Sequence, residues 1–465
     1  MNNILASLIV PHPPLIIKEI GKGEELKISR TIKAYKECAE FVKSLNPETI
    51  ILSTPHSIMY SDYFHLSPGT FARGSFKNFS APSVTLDVEY DNELVKKIED
   101  KATGLNFPCG TRGEKDKELD HGTMIPLYFL KQAYGAFPLP KIIRLGLSGL
   151  SLIEHYELGM IIRETAQELN RKIVFIASGD CSHRLKEDGP YGFSAAGPLY
   201  DEKLEVCLKN SDFLSLITFN DKLLEEAGEC GHRSFSIMAG LFEGHEVDSK
   251  VLSHEGPFGV GYLVATFKPG KLKNERLILD NAKQIRKEKL ENKKIKEDEY
   301  VRLARLAVES YIKEGIISSV PKNTSPELLD LQAGTFVSLH LNGNLRGCIG
   351  TISPTTKTVA EEIIQNGISA CSQDPRFNRV TVRELPFLEY SVDVLAEPLK
   401  IKDKTELDVK RFGVIVKNGN RRGLLLPDLD GVNSVEEQIS IAKQKANIRE
   451  NEEVELERFE VIRHV

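Results

Sequence analysis

Residues 4–16 read ILASLIVPHPPLI, an apolar run that ends in a proline and a histidine. A short apolar run bounded by such turn residues is typical of a buried strand. A helical pattern follows at Ser29–Leu45, and a second buried strand is predicted at Glu48–Ser53. Because strands that alternate with helices usually pair in parallel, this opening predicts an α/β domain.

The same alternation continues through the first half of the chain. Buried strands are predicted at Lys141–Gly146 and Lys172–Ser178, and an amphipathic helix at about Leu152–Asn170 precedes the second of these strands. We therefore predict that residues 1–267 form one α/β domain, with a mixed or parallel sheet flanked by helices.

The chain is longer, at 465 residues, than one hydrophobic core usually supports, so two domains are expected. Residues 268–297 are strongly charged with both signs, which predicts a linker, most simply a solvated helix. Beyond it, residues 298–465 combine helices with separate strands, which predicts an α+β domain. Its first helix starts at Tyr300, and its strands are predicted at Thr335–Leu341, Tyr390–Leu395 and Gly423–Leu426.

Composition and charge argue against several classes of function. The formal net charge of -6 gives no electrostatic reason to bind nucleic acid or an anionic membrane. The apolar run Ile4–Val10 is far shorter than the roughly 20 residues of a membrane span, and it lacks the features of a secretion signal. Seven scattered cysteines without a CxxC pair indicate neither a disulfide framework nor a zinc ribbon. We expect a cytoplasmic protein.

Four histidines of the first half stand at predicted strand ends, where α/β proteins place their sites. His12 follows the first strand, His56 follows the second in ILSTPHSIM, and His183 follows another in IASGDCSHRL. His121 lies in LDHGTMIPL. Neutral imidazole is the commonest metal ligand and is well suited to proton transfer near neutral pH. The set therefore predicts a metal centre with acid–base groups beside it.

Six motifs of the first half, taken in order, resemble the class III extradiol ring-cleavage dioxygenases of the LigB superfamily and their relatives in the Memo family. The resemblance covers about residues 1–267. In the dioxygenases that this chain resembles, two histidines and a glutamate hold a non-haem Fe(II) that has open positions for a catecholate and O2. The six motifs are VPHPP, TPHS, LDHGTMIPL, SGDCSH, EAGECGHRS and SHEGPFGVGYLVA.

The resemblance implies a role for each histidine. His12 and His56 match the two histidine ligands of the metal. His121 and His183 match the pair that deprotonates the phenol and later protonates an intermediate. Asp180, three residues before His183, is expected to orient the His183 imidazole.

The third ligand is where this sequence departs from the dioxygenase pattern. The family glutamate falls in EEAGECGHRS, where Cys230 stands at the ligand position with Glu229 beside it. Memo proteins resemble this chain in carrying a cysteine before a glycine there, which favours Cys230. Glu255 in SHEGPFGVG is a further acidic candidate. A thiolate makes a site softer, so Fe(II) is the expected metal, and copper or zinc stay open.

Three motifs of the second half closely resemble the AMMECR-type domain, over about residues 298–465. LRGCIGT places Arg346, Gly347 and Cys348 among glycines, which predicts a tight turn where backbone can approach a ligand. Arg346 suits a carboxylate or phosphate ligand, or a buried acid of the protein. The three motifs are LRGCIGT at 345–351, QDPRF at 373–377 and RRGLLLPDLDGV at 421–432.

The order of the two domains resembles the fusions of the AmmeMemoRadiSam system, in which Memo-like and radical-SAM proteins are expected partners. The leading expectation is an Fe(II)-dependent extradiol dioxygenase that opens the ring of a phenolic or catechol-like substrate. One alternative is an oxygen-independent metal-dependent lyase or hydrolase, which a cysteine ligand would favour. Another is a non-catalytic metal-binding partner of a radical enzyme.

Overall fold

The computed structural model describes residues 3–113, 118–429 and 431–465, and it divides into two compact units. The first unit ends at Lys287 and the second starts at Glu288. Within the described ranges, none of the helices combines the length and the apolar composition that crossing a membrane requires.

The first unit alternates strands with helices along most of its length. Its strands are β1 Ile4–Val10, β2 Thr49–Thr54, β3 Phe64–His65, β4 Phe71–Phe76, β5 Ala81–Glu89, β6 Cys109–Gly110, β7 Lys141–Gly146, β8 Ile173–Ser178, β9 His245–Glu255 and β10 Tyr262–Leu272. Its helices are α1 Lys18–Gly21, α2 Ser29–Leu45, α3 Asn92–Gly104, α4 His121–Tyr134, α5 Leu152–Glu168, α6 Ala196–Lys209, α7 Phe213–Ile217, α8 Asp221–Ala227 and α9 His232–Gly240, and α10 Leu279–Lys296 spans the border.

A six-stranded sheet organises the first unit, in the order β7-β2-β8-β1-β10-β9. The strands β7, β2, β8 and β1 are parallel, whereas β10 and β9 pair antiparallel. Every residue of β2 and β8 is buried, as expected for central strands that are covered on both faces. The predicted α/β domain with a mixed sheet is confirmed.

Helices cover both faces of this sheet. Consecutive residues of β1 point to opposite faces, so Ile9 belongs to one apolar cluster and Leu8 to the other. The helices α5 and α9 pack on the Ile9 side, and α2 and α4 pack on the Leu8 side. Since both faces are covered, the edge where the parallel strands end is the natural place for a site.

Residues 268–297 are folded in the structure. β10 continues to Leu272, and α10 occupies Leu279–Lys296. The buried carboxylate of Glu243 accepts hydrogen bonds at 3.1–3.2 Å from the backbone N–H groups of Ile278 and Leu279, so it caps the start of α10. The charged composition of this segment fits the exposure of the helix, in which Ala282 is buried.

The second unit contains two four-stranded antiparallel sheets, in the orders β12-β11-β13-β18 and β14-β17-β15-β16. The helices α11 and α13 pack on the first sheet, and α14 packs on the second, which confirms the α+β prediction. The strands are β11 Thr335–Leu341, β12 Asn344–Gly350, β13 Leu388–Leu395, β14 Leu399–Ile401, β15 Gly413–Asn418, β16 Arg421–Leu425, β17 Glu455–Phe459 and β18 Val461–His464, and the helices are α11 Glu299–Glu314, α12 Pro326–Asp330, α13 Val359–Ser372 and α14 Val435–Lys445.

The LRGCIGT segment is a strand, so the predicted tight turn was wrong. Residues 344–350 form β12, which pairs with β11 and places Cys348 opposite Ser338. The turn lies before it, where Asn342 and Gly343 have positive φ angles of 55° and 78°. An Asn-Gly pair is a strong signal for a two-residue hairpin turn, and here it outweighs the glycines that follow.

Candidate metal centre

Three parallel strands of the large sheet each carry a polar residue two positions beyond their last residue. His12 follows β1, His56 follows β2, and Asp180 follows β8. These strands are neighbours in the order β2-β8-β1, so their carboxyl ends meet at the same edge of the sheet. The fold therefore brings together residues that are far apart in the sequence.

His12 lies at the centre of this site. Its Nε2 is 3.0 Å from Nε2 of His56 and 3.6 Å from Sγ of Cys230. The ring centroid of His121 lies 4.0 Å from that of His56 and 5.4 Å from that of His12. In each of two groups of side chains here, three possible ligand atoms lie within 4.8 Å of one another, and His12 belongs to both groups. One group is His12, His56 and His121, and the other is His12, Asp180 and Cys230.

A chain of hydrogen bonds fixes the tautomer of His12. The Ser178 hydroxyl donates its single proton to the backbone carbonyl of Gly122 at 2.7 Å. Its oxygen must therefore accept from Nδ1 of His12, which lies 3.0 Å away. Nδ1 then carries the ring proton, and Nε2 presents its lone pair toward His56 and Cys230. A histidine that binds a metal is usually held in this way, through its other nitrogen.

Burial keeps the imidazoles of the site neutral. It lowers the pKa of His12 well below the usual value, and the neighbouring His56, His121 and His183 lower that pKa further. Burial also lowers the pKa of His121 and of His183 to about 4. Neutral rings are what metal binding requires, because a protonated nitrogen has no lone pair to donate.

Asp180 contacts His12 and Cys230, which corrects its expected role beside His183. Its Oδ1 accepts the backbone N–H of His12 at 2.8 Å, and its own N–H donates to Sγ of Cys230 at 3.3 Å. Burial raises the pKa of Asp180 to about 7. Asp180 thus fixes the position of the two flanking residues relative to each other.

His183 has an unused ring nitrogen. Its Nε2 is buried and has no hydrogen-bond partner among the residues that the structure describes. The exposed ring of Tyr191 stacks on the imidazole, with centroids 5.0 Å apart and planes at 29°. A neutral imidazole nitrogen that is not protonated can accept a hydrogen bond.

The two acidic candidates for the third ligand are engaged elsewhere. Glu229 accepts the backbone N–H of His232 at 2.6 Å, at the start of α9. Glu255 accepts the backbone N–H and the hydroxyl of Thr31 at 2.8 and 2.7 Å, in the first turn of α2. Of the three alternatives, Cys230 is the one whose ligand atom lies beside His12.

Two supporting residues were not predicted from the sequence. Asp120 caps α4, because its Oδ1 accepts the N–H of Thr123 at 3.0 Å and the hydroxyl of Thr54 at 2.7 Å. An aspartate just before an apolar helix is a readable cap signal. His121 therefore begins a helix, and its predicted position at a strand end was wrong. Ser178 gives no comparable signal in the sequence.

A further group of possible ligands, Cys181, Asp201 and His254, forms an ion-pair cluster. Nδ1 of His254 lies 2.7 Å from Glu205, and its Nε2 lies 3.0 Å from Asp201. Burial lowers the pKa of His254, but the hydrogen bonds to these two carboxylates outweigh it and raise the pKa above its usual value. Both ring nitrogens thus act as donors that join α6 to β9.

The three residues predicted to bind a ligand in the second unit have different surroundings. Arg346 donates from Nε to Glu384 at 2.6 Å, so its partner is a carboxylate of the protein. A Cβ on Gly347 would lie 2.3 Å from the carbonyl oxygen of Ala370, so this glycine allows β12 to pack closely on α13. Cys348 lines a cavity.

Known families match both units. Residues 6–265 match the family described as the catalytic LigB subunit of aromatic ring-opening dioxygenase. Residues 301–464 match the AMMECR1 family. A protein of Clostridium acetobutylicum is 43% identical over 464 residues, which cover 98% of each chain. The relation to that protein therefore extends through both units.

Shorter relatives also match. A protein of Thermotoga maritima is 47% identical over 172 residues, which cover 37% of this chain and 99% of its own. The crystal structure of the uncharacterized protein PH0010 from Pyrococcus horikoshii is 33% identical and has a TM-score of 0.33. It covers 35% of this chain and 88% of that one.

Proposed function

Because the chain belongs to the family of the catalytic LigB subunit of aromatic ring-opening dioxygenases, with an AMMECR1 domain joined to it, we propose that its first unit is a metal-dependent oxidoreductase of the extradiol type. The proposed substrate is a phenolic or catechol-like ring, and the proposed metal is Fe(II). The observation that carries the proposal is the lone pair on Nε2 of His12, which faces His56 and Cys230 at 3.0 and 3.6 Å.

The donor atoms of the site fit a transition-metal ion. His12, His56 and Cys230 would hold it; His12 and His56 share one group with His121, and His12 and Cys230 share the other group with Asp180. Imidazole nitrogen and thiolate sulfur suit Fe(II), and they also suit copper and zinc. When bound, the ion would polarise the substrate oxygens and offer open positions for O2.

The remaining side chains of the site suit a planar phenol. The ring of Phe79 lies 5.3 Å from that of His121, and Tyr191 stacks on His183. Aromatic groups at these positions favour an aromatic ligand, because offset or edge contacts between rings are attractive. His183 stays neutral at pH 7, so its Nε2 can take the proton of a substrate hydroxyl.

The test is elemental analysis of protein purified without oxygen, followed by O2-uptake measurements with catechol. We expect nearly one iron per chain in the wild type and its loss in His12→Ala and Cys230→Ser. The control is Cys207→Ser, which removes another thiol, on α6, that lies outside the site. It should keep both the metal and the O2 uptake.

Three other outcomes lead away from this proposal. Wild-type protein that remains metal-free after anaerobic reconstitution with Fe(II) would contradict it. Metal-loaded protein that consumes no O2 but converts a substrate under argon would indicate a lyase or hydrolase. Metal-loaded protein that is inert and binds a Memo-like or radical-SAM protein tightly would indicate a non-catalytic partner.

A further inference from the structure

A cavity of about 1090 Å³ lies within the second unit, where the proposed metal chemistry does not reach. Both sheets of this unit line it, with Ser338 on β11 and Cys348 on β12 from one sheet and Leu424 on β16 from the other. Lys445, the last residue of α14, also lines it. Pockets for small molecules usually measure about 300–1,000 Å³, so the cavity is large enough for an organic ligand.

Most charged groups in the cavity wall are neutralised by each other. Each pair joins a cation to a carboxylate, so together they leave little net charge for a ligand to meet. The pairs are Lys293 with Glu389, Arg305 with Glu297, Arg376 with Asp374, and Arg463 with Asp393.

Three lysines of the wall differ from these cations, because no carboxylate of the described residues pairs with Lys294, Lys296 or Lys445. Of the three, Lys445 is the one with a resolved electrostatic contact to Arg376. Lys445 is exposed to solvent although it lines the cavity. Its partial desolvation lowers its pKa, Cys348 raises the pKa, and the nearby guanidinium of Arg376 lowers the pKa further. The ammonium group therefore lies within electrostatic reach of both side chains. A positive charge that the protein leaves uncompensated in a cavity is stabilised when an anion binds beside it.

Arg376 is held firmly beside this lysine. Its Nη2 donates to Asp374 at 2.7 Å and to the backbone carbonyl of Cys348 at 3.2 Å. Asp374 in turn accepts the backbone N–H of Cys348 at 2.9 Å. This clamp joins the QDPRF and LRGCIGT motifs and gives the guanidinium a fixed position, so little entropy is lost when it meets a ligand.

The rest of the wall is compatible with the apolar body of such a ligand. The Cys348 thiol is neutral at pH 7, because burial raises its pKa, and it therefore does not repel an anion. Apolar side chains from both sheets and their connections make up much of the remaining surface. They include Phe336, Leu345, Ile349, Leu388, Leu424 and Leu426.

We propose that this cavity binds an amphipathic organic anion. The carboxylate or sulfonate group of this ligand pairs with the ammonium of Lys445 beside the guanidinium of Arg376. The apolar body of the ligand lies against the apolar side chains of the cavity wall. The site belongs to the second unit alone, so it binds its ligand whether or not the first unit holds a metal.

The test uses the full-length, metal-free protein and the fluorescent anion 1-anilinonaphthalene-8-sulfonate. We expect saturable binding of one molecule per chain, and binding about tenfold weaker in Lys445→Gln. Lys445→Arg should restore binding. The matched control is Lys357→Gln, which removes one positive charge from an exposed position of the same unit outside the cavity. N-phenyl-1-naphthylamine, which lacks the sulfonate, should bind more weakly than the anion and respond equally to all three variants.

A second measurement locates the probe. Iodoacetamide is neutral, and its reaction with Cys348 can be followed by mass spectrometry of the peptide that carries this residue. Bound anion should slow the alkylation of Cys348 and leave that of Cys207, in the first unit, unchanged. The proposal is overturned if Lys445→Gln and Lys357→Gln bind the anion equally well, or if saturating anion leaves the alkylation of Cys348 unchanged.

Discussion

The hydroxyl of Ser178 has one proton, and the direction in which it points decides which ring nitrogen of His12 has a lone pair free to bind a metal. Replacing Ser178 by alanine removes the acceptor for Nδ1, so the His12 proton can move to Nε2, where it blocks metal binding. We expect Ser178→Ala to weaken metal affinity by roughly 10- to 100-fold, as loss of the group that supports a ligand usually does. Anaerobic titration of the metal-free protein with Fe(II) measures this change.

A matched serine separates this effect from simple loss of a buried hydroxyl. Ser7 lies on β1, is fully buried, and has an Oγ without a hydrogen-bond partner in the described part of the chain. Ser7→Ala should therefore bind metal like the wild type. Nitrogen-15 spectra of the metal-free proteins would show the protonated Nδ1 of His12 in the wild type and in Ser7→Ala. Equal affinities for both variants would contradict the role assigned to Ser178.

His155 makes stability depend on pH, away from the metal centre. Its Nδ1 lies 2.8 Å from the carbonyl oxygen of Ser151, and its Nε2 accepts the N–H of Ser148 at 3.4 Å, so the neutral ring is fully used. Burial lowers the pKa of His155 to about 3. As the pH falls, the unfolded chain therefore binds this proton before the folded chain does. The stability that neutral His155 contributes is present above pH 6.5 and is lost progressively as the pH falls below that value.

We expect the free energy of unfolding to fall as the pH drops from 6.5 toward 3, with His155 contributing up to about 5 kcal/mol of the loss. Glutamine cannot titrate in this range but retains a donor and an acceptor. His155→Gln should therefore show a smaller slope, by about 1.4 kcal/mol per pH unit between pH 6 and 4. Urea denaturation of the metal-free proteins at several pH values gives this comparison. Identical slopes would show that His155 does not titrate as described.

At the scale of elements, two glycines of the second unit should respond oppositely to alanine. A Cβ at Gly347 on β12 would meet the Ala370 carbonyl oxygen at 2.3 Å, and neither backbone can yield easily. A Cβ at Gly367, inside α13, would have ordinary contacts from 3.5 Å outward. Gly347→Ala should lose about 1–3 kcal/mol of stability. Gly367→Ala should gain roughly 0.5–1 kcal/mol, because alanine favours the helix.

Thermal unfolding of the two variants tests this contrast, since each substitution adds one methyl group at a packing contact of α13, with β12 for Gly347 and with α11 for Gly367. A destabilised Gly367→Ala would mean that α13 lies closer to α11 than described. An unaffected Gly347→Ala would mean that β12 can move away from α13.

The elements that could be predicted were those whose apolar pattern is strong by itself. β1, β7 and β11 have the predicted bounds, because each is a short apolar run between turn residues or charges. β12 could not be recognised in the same way. Taken alone, its glycines suggest a turn. The reason for Gly347 is instead the close packing of α13, which leaves no room for a side chain at this position of β12.

The metal centre could be predicted only in part, because its members are far apart in the chain. His12 and Cys230, 218 positions apart, come together through the pairing of β1 with β8 and the turn before α9. Histidines near strand ends can be read from local patterns. The hydrogen-bond partner of Asp180 cannot be read in this way. Whether the Asp180 side chain faces His12 or His183 depends on the direction in which the chain leaves β8.

At the scale of the whole molecule, metal binding should protect the first unit selectively, because every proposed ligand belongs to it. Hydrogen exchange measured with and without Fe(II) should slow in peptides that contain His12, His56, Asp180 and Cys230. Peptides from residues 300–465 should exchange at unchanged rates. His12→Ala should show no response to the metal, and a response confined to the second unit would place the metal elsewhere.

The position of β1 in the sheet has a consequence for the synthesis of this protein. β1 is complete at Val10, but it lies between β8 and β10, and β10 starts at Tyr262. At about 5–20 residues per second, a ribosome takes roughly 13–50 s to make the intervening chain. During that time the side of β1 that β10 will cover is an open edge, so the nascent chain is a natural client for chaperones until β10 emerges.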